Sequence, residues 1–150
     1  MSAIAPPRAT LDDLMRWDGN AELINGKVVP LMPTGVRPNR VAGRIYRSLD
    51  DHAEATGRGA AFTDGITFAV PELTSGRESF GPDAAYYTGP LPADLMRFVE
   101  GAPDFAVEVR SDWDYGSTAD AAYADKRADY FEAGTRVVWD VDPIAGTVRR

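Results

Sequence analysis

Ala102-Pro103-Asp104-Phe105-Ala106-Val107-Glu108-Val109-Arg110-Ser111 is the stretch on which the fold reading turns. Phe105, Val107 and Val109 alternate with Ala106, Glu108 and Arg110, the period of a strand whose successive side chains point to opposite faces. A glutamate and an arginine therefore share one face of a strand otherwise built for burial. A buried carboxylate costs several kcal/mol unless it is paired or holds a metal. Upstream, Gly81-Pro82-Asp83 opens a second strand, Asp83-Ala84-Ala85-Tyr86-Tyr87. One acid thus stands at the start of one strand and another in the middle of the next. We read Asp83 and Glu108 as a pair that holds a divalent cation.

The rest of the composition narrows the chemistry. The chain has 150 residues, 44% hydrophobic and 26% charged, which suits one globular domain with a proper core. Residues 1–9 read as a flexible tail, and 10–150 as a single domain whose last strand, near Thr147-Val148, is expected to be cut short. No apolar run reaches the ~20 residues of a membrane span and no signal peptide is apparent, so a cytoplasmic protein is expected. Cysteine is absent and histidine occurs once, as His52. That leaves little room for zinc sites or for Ser-His-Asp and Cys-His nucleophiles. A net charge of −7 opposes nucleic-acid binding over the whole surface but leaves room for a local basic patch.

Outward toward the N-terminus, Thr10-Leu11-Asp12-Asp13 carries the signature of a capped helix start. Ala21-Glu22-Leu23-Ile24-Asn25-Gly26-Lys27-Val28-Val29 is a hairpin, because Asn-Gly between apolar runs suits its tight turn. After a proline-punctuated connection over 30–38, Val41, Ile45, Leu49 and Ala53 recur at helical spacing from Asn39 to about Thr56. Arg40, Arg44 and Arg47 decorate that helix and Arg58 follows it. The alternatives for these arginines are a solvated face, which is preferred, or contact with phosphate. Ala60 to Val70 reads as a strand with a turn or bulge at Asp64-Gly65, Glu72 to Pro82 as a polar loop, and Asp94–Val99 as a short helix.

Beyond Ser111 a polar loop leads into a helix from about Ala119 to Ala133. Ala119, Ala122, Tyr123, Lys126, Tyr130 and Ala133 share one side of it. Lys126 sits inside that stripe and can reach a carboxylate on the sheet if its helix packs back on the Glu108 strand. Tyr123, Tyr130, Phe131 and Trp139 are assigned to the core. Asp140 and Asp142 are assigned to strand-end and turn chemistry. Strands interleaved with helices after an early hairpin give an α/β or α+β domain with a mixed sheet. Two carboxylates and a lysine suit metal-assisted phosphodiester hydrolysis, in which Mg²⁺ takes one or two carboxylates. Arg110 stays charged; it either stabilises phosphate or pairs with Glu108 or Glu22.

Glu22–Val29, Pro82-Asp83, Ala102–Ser111, Lys126-Arg127-Ala128-Asp129-Tyr130-Phe131-Glu132-Ala133-Gly134 and Val138-Trp139-Asp140-Val141-Asp142-Pro143 occur in an order that resembles the Uma-type putative restriction endonucleases, a bacterial branch of the PD-(D/E)XK nuclease superfamily. The resemblance runs from about Thr10 onward. It implies a restriction-endonuclease-like α/β fold, a central mixed sheet flanked by helices, and Mg²⁺-dependent cleavage of DNA, with Mn²⁺ as a substitute. It implies that Asp83 and Glu108 are the metal carboxylates, that Lys126 is the catalytic lysine displaced onto a helix, and that Glu22 is a further acid of the site. Analogy with double-strand cutters points to a homodimer. The loop Ser111-Asp112-Trp113-Asp114-Tyr115-Gly116-Ser117-Thr118 departs from the family's usual Ser-Pro-Ser-Thr. The alternative reading is therefore a catalytically inactive relative that serves as an interaction or regulatory module.

Overall fold

In the computed structural model, which describes residues 3–150, the alternation at 105–110 forms the centre of a five-stranded mixed sheet. Strands β1 (Ala21–Ile24) and β2 (Lys27–Pro30) make the early hairpin, and short helix α1 (Leu11–Met15) precedes them. Helix α2 (Val36–Thr56) leads to β3 (Ala60–Thr63), β4 (Phe68–Ala69), β5 (Ser79–Phe80), β6 (Ala84–Tyr87) and β7 (Val99–Glu100). The chain ends with β8 (Phe105–Val109), α3 (Ser117–Ala133), β9 (Val137–Asp142) and β10 (Thr147–Arg149). The main sheet runs β10-β9-β8-β6-β3, with only β8 and β9 parallel. Helix α3 is the crossover between those two, as a parallel pair requires.

The two faces of β8 meet different partners. Val107 and Val109, with Ala84 and Val141, pack against Val41, Ile45 and Leu49 of α2. Ala106, with Ala85 and Val138, packs on the other side against Tyr130 of α3, Phe68 and Phe80. Ala84, Ala85 and Ala106 are fully buried, so small side chains let helices approach both faces of the sheet. Glu108 and Arg110 consequently lie on the α3 face. This sandwich of helix, sheet and helix is the α/β architecture expected from the sequence. Among the described residues, no helix is long and apolar enough to cross a membrane.

The hairpin turns at Asn25 and Gly26, both with positive φ (52° and 67°), the backbone of a type I′ turn. Its tip is tied to the loop before β5. The Asn25 amide donates to the Gly76 carbonyl at 2.8 Å. Gly76 has a φ of 86°, and a Cβ there would lie 1.8 Å from Asn25 Oδ1, so any other residue would be strained and would displace the Asn25 side chain. The Glu78 amide donates to the Leu23 carbonyl, and the Leu23 amide to Ser79 Oγ at 2.7 Å. These bonds clamp β1 beside β5 and bury both of its faces.

Several local expectations change. Helix α2 begins at Val36 rather than Asn39, with Pro38 in its first turn, where the missing N–H has no helical partner to lose. The run 60–70 breaks at Asp64-Gly65 into β3 and β4, which belong to different sheets. The loop 72–82 contains β5, and 94–99 forms no helix: Asp94 accepts from the Met96 amide in a turn, and Val99 enters β7. Strands β5, β4 and β7 form a second small sheet over the α3 face of the core. Phe131 is 49% exposed and lies outside the core, whereas Tyr130 beside it is fully buried. Of the N-terminal tail, Met1 and Ser2 lie outside the described residues. Arg8 pairs with Glu72, and the Ala9 amide donates to the Gly26 carbonyl.

Candidate active site

A cleft of about 550 Å³ opens between the hairpin exit, the C-terminal half of β8 and the first half of α3. Asp83, Glu108, Lys126, Asp64 and Asp114 line it, together with Tyr123 and Arg77. Antiparallel pairing of β6 with β8 brings Asp83 alongside the Glu108 region, and the Asp83 amide donates to the Val107 carbonyl at 2.9 Å. The carboxylate of Asp83 is fixed in turn, because Oδ2 accepts from the Val109 amide at 2.6 Å.

Glu108 projects from the opposite side of the same strand as Val107 and Val109, toward α3. Its Oε1 accepts from the Tyr130 hydroxyl at 2.8 Å and faces Lys126 Nζ at 2.9 Å. Tyr130 and Lys126 are four residues apart on α3, one helical turn, so both reach the same oxygen. Among the described residues no protein donor meets Asp83 Oδ1 or Glu108 Oε2. Each acid is thus anchored by one oxygen and has a second without a protein donor, and both residues line the cleft.

The charges of the site are unequal. Burial, reinforced by the neighbouring Glu108 charge, pushes the Asp83 carboxyl up to about 8. Burial also raises Glu108, and Lys126 offsets this only in part. The pair is short of positive charge. Lys126 itself is desolvated, but the carboxylates of Glu108 and Glu22 raise its pKa, so it stays an ammonium.

Glu22 is brought to the same place but is bonded differently. It is 3% exposed, and both oxygens are occupied. Oε1 meets Arg77 Nη1 at 3.0 Å; Oε2 meets Lys126 Nζ at 3.0 Å and accepts from the Gly81 amide at 2.8 Å. Burial alone would raise its carboxyl, yet Lys126 and Arg77 bring it down to about 2. Glu22 is therefore a buried counter-ion to Lys126 and Arg77. Arg77, absent from the sequence reading, completes the chain of pairs. Its Nε donates to Asp129 Oδ2 at 3.0 Å, and its guanidinium lies 5.0 Å over the Phe80 ring. Asp129, Arg77, Glu22, Lys126 and Glu108 form one continuous buried ion-pair network.

Arg110 takes neither of its expected partners. Its Nε and Nη2 grip the two oxygens of Asp140 at 2.9 and 3.0 Å, and its Nη1 reaches Asp120 and the Asp114 carbonyl. Arg127 adds a further bond to Asp140 at 2.8 Å. The parallel register that sets Glu108 opposite Asp140 explains the pairing, since Asp140 shares the α3 face with Arg110. Asp140 is thus the buried anchor of an arginine pair. Asp142 does hold a turn, accepting from the Ile144 and Ala145 amides.

The donor set suits a hard divalent cation. Two carboxylates share one cleft, each with a free oxygen, and their mutual repulsion is the kind a cation relieves. Among the described residues, no group of three or more Asp, Glu, His or Cys side chains is placed to hold a metal. Protein ligands from this pair would therefore number two, with water and substrate oxygens left to fill the sphere, as Mg²⁺ commonly accepts.

Comparison with solved structures finds a likeness to a putative nuclease of the DUF820 group from Anabaena variabilis. The TM-score is 0.67 at 20% identity, over 90% of this chain and 74% of that one. At that identity the likeness concerns the fold. No curated protein matches the chain. The family model Uma2, described as a putative restriction endonuclease, matches residues 11–150, nearly the whole chain, and we conclude that the protein belongs to the Uma2 family.

Proposed function

We propose that this protein is a metal-dependent endodeoxyribonuclease that hydrolyses DNA phosphodiester bonds, with Mg²⁺ as its cation and Mn²⁺ as a substitute. The observation that carries the reading is the pair of half-anchored carboxylates, Asp83 and Glu108, beside a permanently charged lysine. Family membership supports the same class of reaction. Asp83 Oδ1 and Glu108 Oε2 are the atoms that would hold the cation. Once bound, a divalent cation supplies an activated water and neutralises charge on the phosphate.

The protein's own groups do the remaining work. Lys126, held by two carboxylates at 2.9 and 3.0 Å, presents a fixed ammonium at the cleft wall. Because those carboxylates raise its pKa, it acts as a charge and hydrogen-bond donor to a developing oxyanion, and not as a general base. Tyr130 fixes the rotamer of Glu108, and the Val109 amide fixes Asp83. Glu22 acts through Lys126, holding it in place. It is a positioning residue here, not a ligand.

Nicking of supercoiled plasmid tests the proposal. Wild type should relax plasmid with Mg²⁺ or Mn²⁺ and be silent in chelator. Asp83→Ala and Glu108→Ala should each lose activity by about a hundredfold or more, and Lys126→Ala by about a hundredfold. No metal-dependent nicking by wild type, or undiminished nicking by both carboxylate variants, rejects the enzyme and leaves the inactive-module alternative.

A further inference from the structure

A second groove of about 490 Å³ adjoins the cleft and shares Ser111 and Pro33 with it. Its walls are Val36, Trp113, Tyr115 and Ile144, all exposed, with Trp113 68% open to solvent. Apolar surface gathered this way on a soluble domain marks a contact site. The loop carrying Trp113 is nonetheless firmly built. Asp114 accepts from the Ser111 amide at 2.8 Å, and its carbonyl accepts from Arg110. Tyr115 donates to Asp142 at 2.9 Å. Of the two acids in this loop, Asp114 is thus an internal fastener, and Asp112 faces the groove.

At its other end the groove shares Val36 and Arg37 with a shallow depression lined by Arg40 and Arg44. These residues follow one side of α2 at helical spacing, a run of about 10 Å at 1.5 Å per residue. All are exposed, and among the described residues Arg37, Arg40, Arg44 and Arg47 form no ion pair. In a chain with 23 acidic residues against 16 basic ones, four unpaired arginines on one helix are the feature to explain. The order along the surface is cleft, exposed tryptophan, then arginines. One ligand chemistry matches all three, a polyanion that also carries flat apolar rings.

Building on the nuclease reading above, we propose that a single-stranded segment of DNA leaves the cleft through this groove, with an unpaired base stacked on Trp113 and its backbone on Arg37, Arg40 and Arg44. A base inside a duplex cannot offer its face to Trp113, so the preferred substrate has an unpaired stretch next to the cleaved bond. Base stacking on an exposed aromatic tolerates any sequence, and the arginines read only the backbone. Specificity in this region is therefore for strand state rather than base identity.

Equilibrium binding of a fluorescein-labelled 20-nucleotide single strand and of its duplex, in chelator, tests this without needing catalysis. Wild type should bind the single strand more tightly. Trp113→Ala should weaken single-strand binding about tenfold, as expected for one lost stacked base, and leave duplex binding nearly unchanged. Trp113→Phe should retain most of the affinity, and Trp17→Ala, at another exposed tryptophan, should have no effect. The double variant Arg40→Ala/Arg44→Ala should lower the slope of log K against log salt by about 1.4. The proposal is overturned if wild type binds no single strand at low salt, if it prefers duplex, or if Trp113→Ala binds as wild type does. Plasmid nicking together with a silent Trp113→Ala would remove this inference alone. Single-strand binding without any nicking would remove the nuclease reading instead.

Discussion

Asp83 is a residue at which burial and a neighbouring charge act together. Its carboxyl is pushed up to about 8, chiefly by burial and then by Glu108, whereas in an unfolded chain it titrates near 3.8. Between those values the folded protein binds the proton and the unfolded chain does not. This contribution to stability is therefore present at low pH and is lost as pH rises toward 8. In chelator, urea unfolding at pH 5, 6.5 and 8 should show wild type losing stability relative to Asp83→Asn, by on the order of 1 kcal/mol per pH unit. Parallel curves for the two proteins would mean that Asp83 carries no raised pKa. That Asp83, Glu108 and Lys126 lie in one cleft was legible in part: Glu108 and Lys126 each interrupt an apolar pattern, on a strand and on a helix stripe, and Asp83 opens the neighbouring strand. Arg77 was not legible. It sits in a single-residue bridge to Ile24, which shows no periodicity, and its partners Glu22 and Asp129 come from distant parts of the chain.

At the scale of elements, the network depends on the clamp between the hairpin and β5. That clamp inserts Arg77 between Glu22 and Asp129 and leaves all three buried or nearly so. Removing one partner of a buried pair costs about 3–5 kcal/mol, mostly through the charge left behind. Arg77→Met should therefore destabilise by that amount in urea unfolding, and Glu22→Gln in the same background should cost much less than it does alone. Strict additivity of the two changes would show that the pair is not coupled. The hairpin itself was readable from Asn25-Gly26, and α3 from its stripe and its stop at Gly134. Strands β4, β5 and β7 have two residues each, too short to display a period. The break between β3 and β4 was visible only as an ambiguous Asp64-Gly65. Arg110 was misassigned because its partner, Asp140, is brought beside it by the parallel register of β8 with β9, and pairing register is not written in either strand alone.

At the scale of the whole molecule, one sheet separates two tasks. The α2 face packs as an apolar core alone, and the α3 face carries, beside its own apolar cluster, the buried charges that shape the cleft. The alternating strand at 105–110 foreshadowed that division, and the helix after it foreshadowed the parallel crossover. The overall charge of −7 concealed a local organisation in which acids line the cleft and unpaired arginines follow α2. The central claim is that Asp83 and Glu108 together hold a divalent cation. Manganese titration of the full chain followed by electron paramagnetic resonance measures this directly. The expected result is a single Mn²⁺ site at pH 8, displaced by excess Mg²⁺ and weakened about tenfold or more in both Asp83→Asn and Glu108→Gln. Undiminished Mn²⁺ binding by both variants, or no binding by wild type, would contradict it.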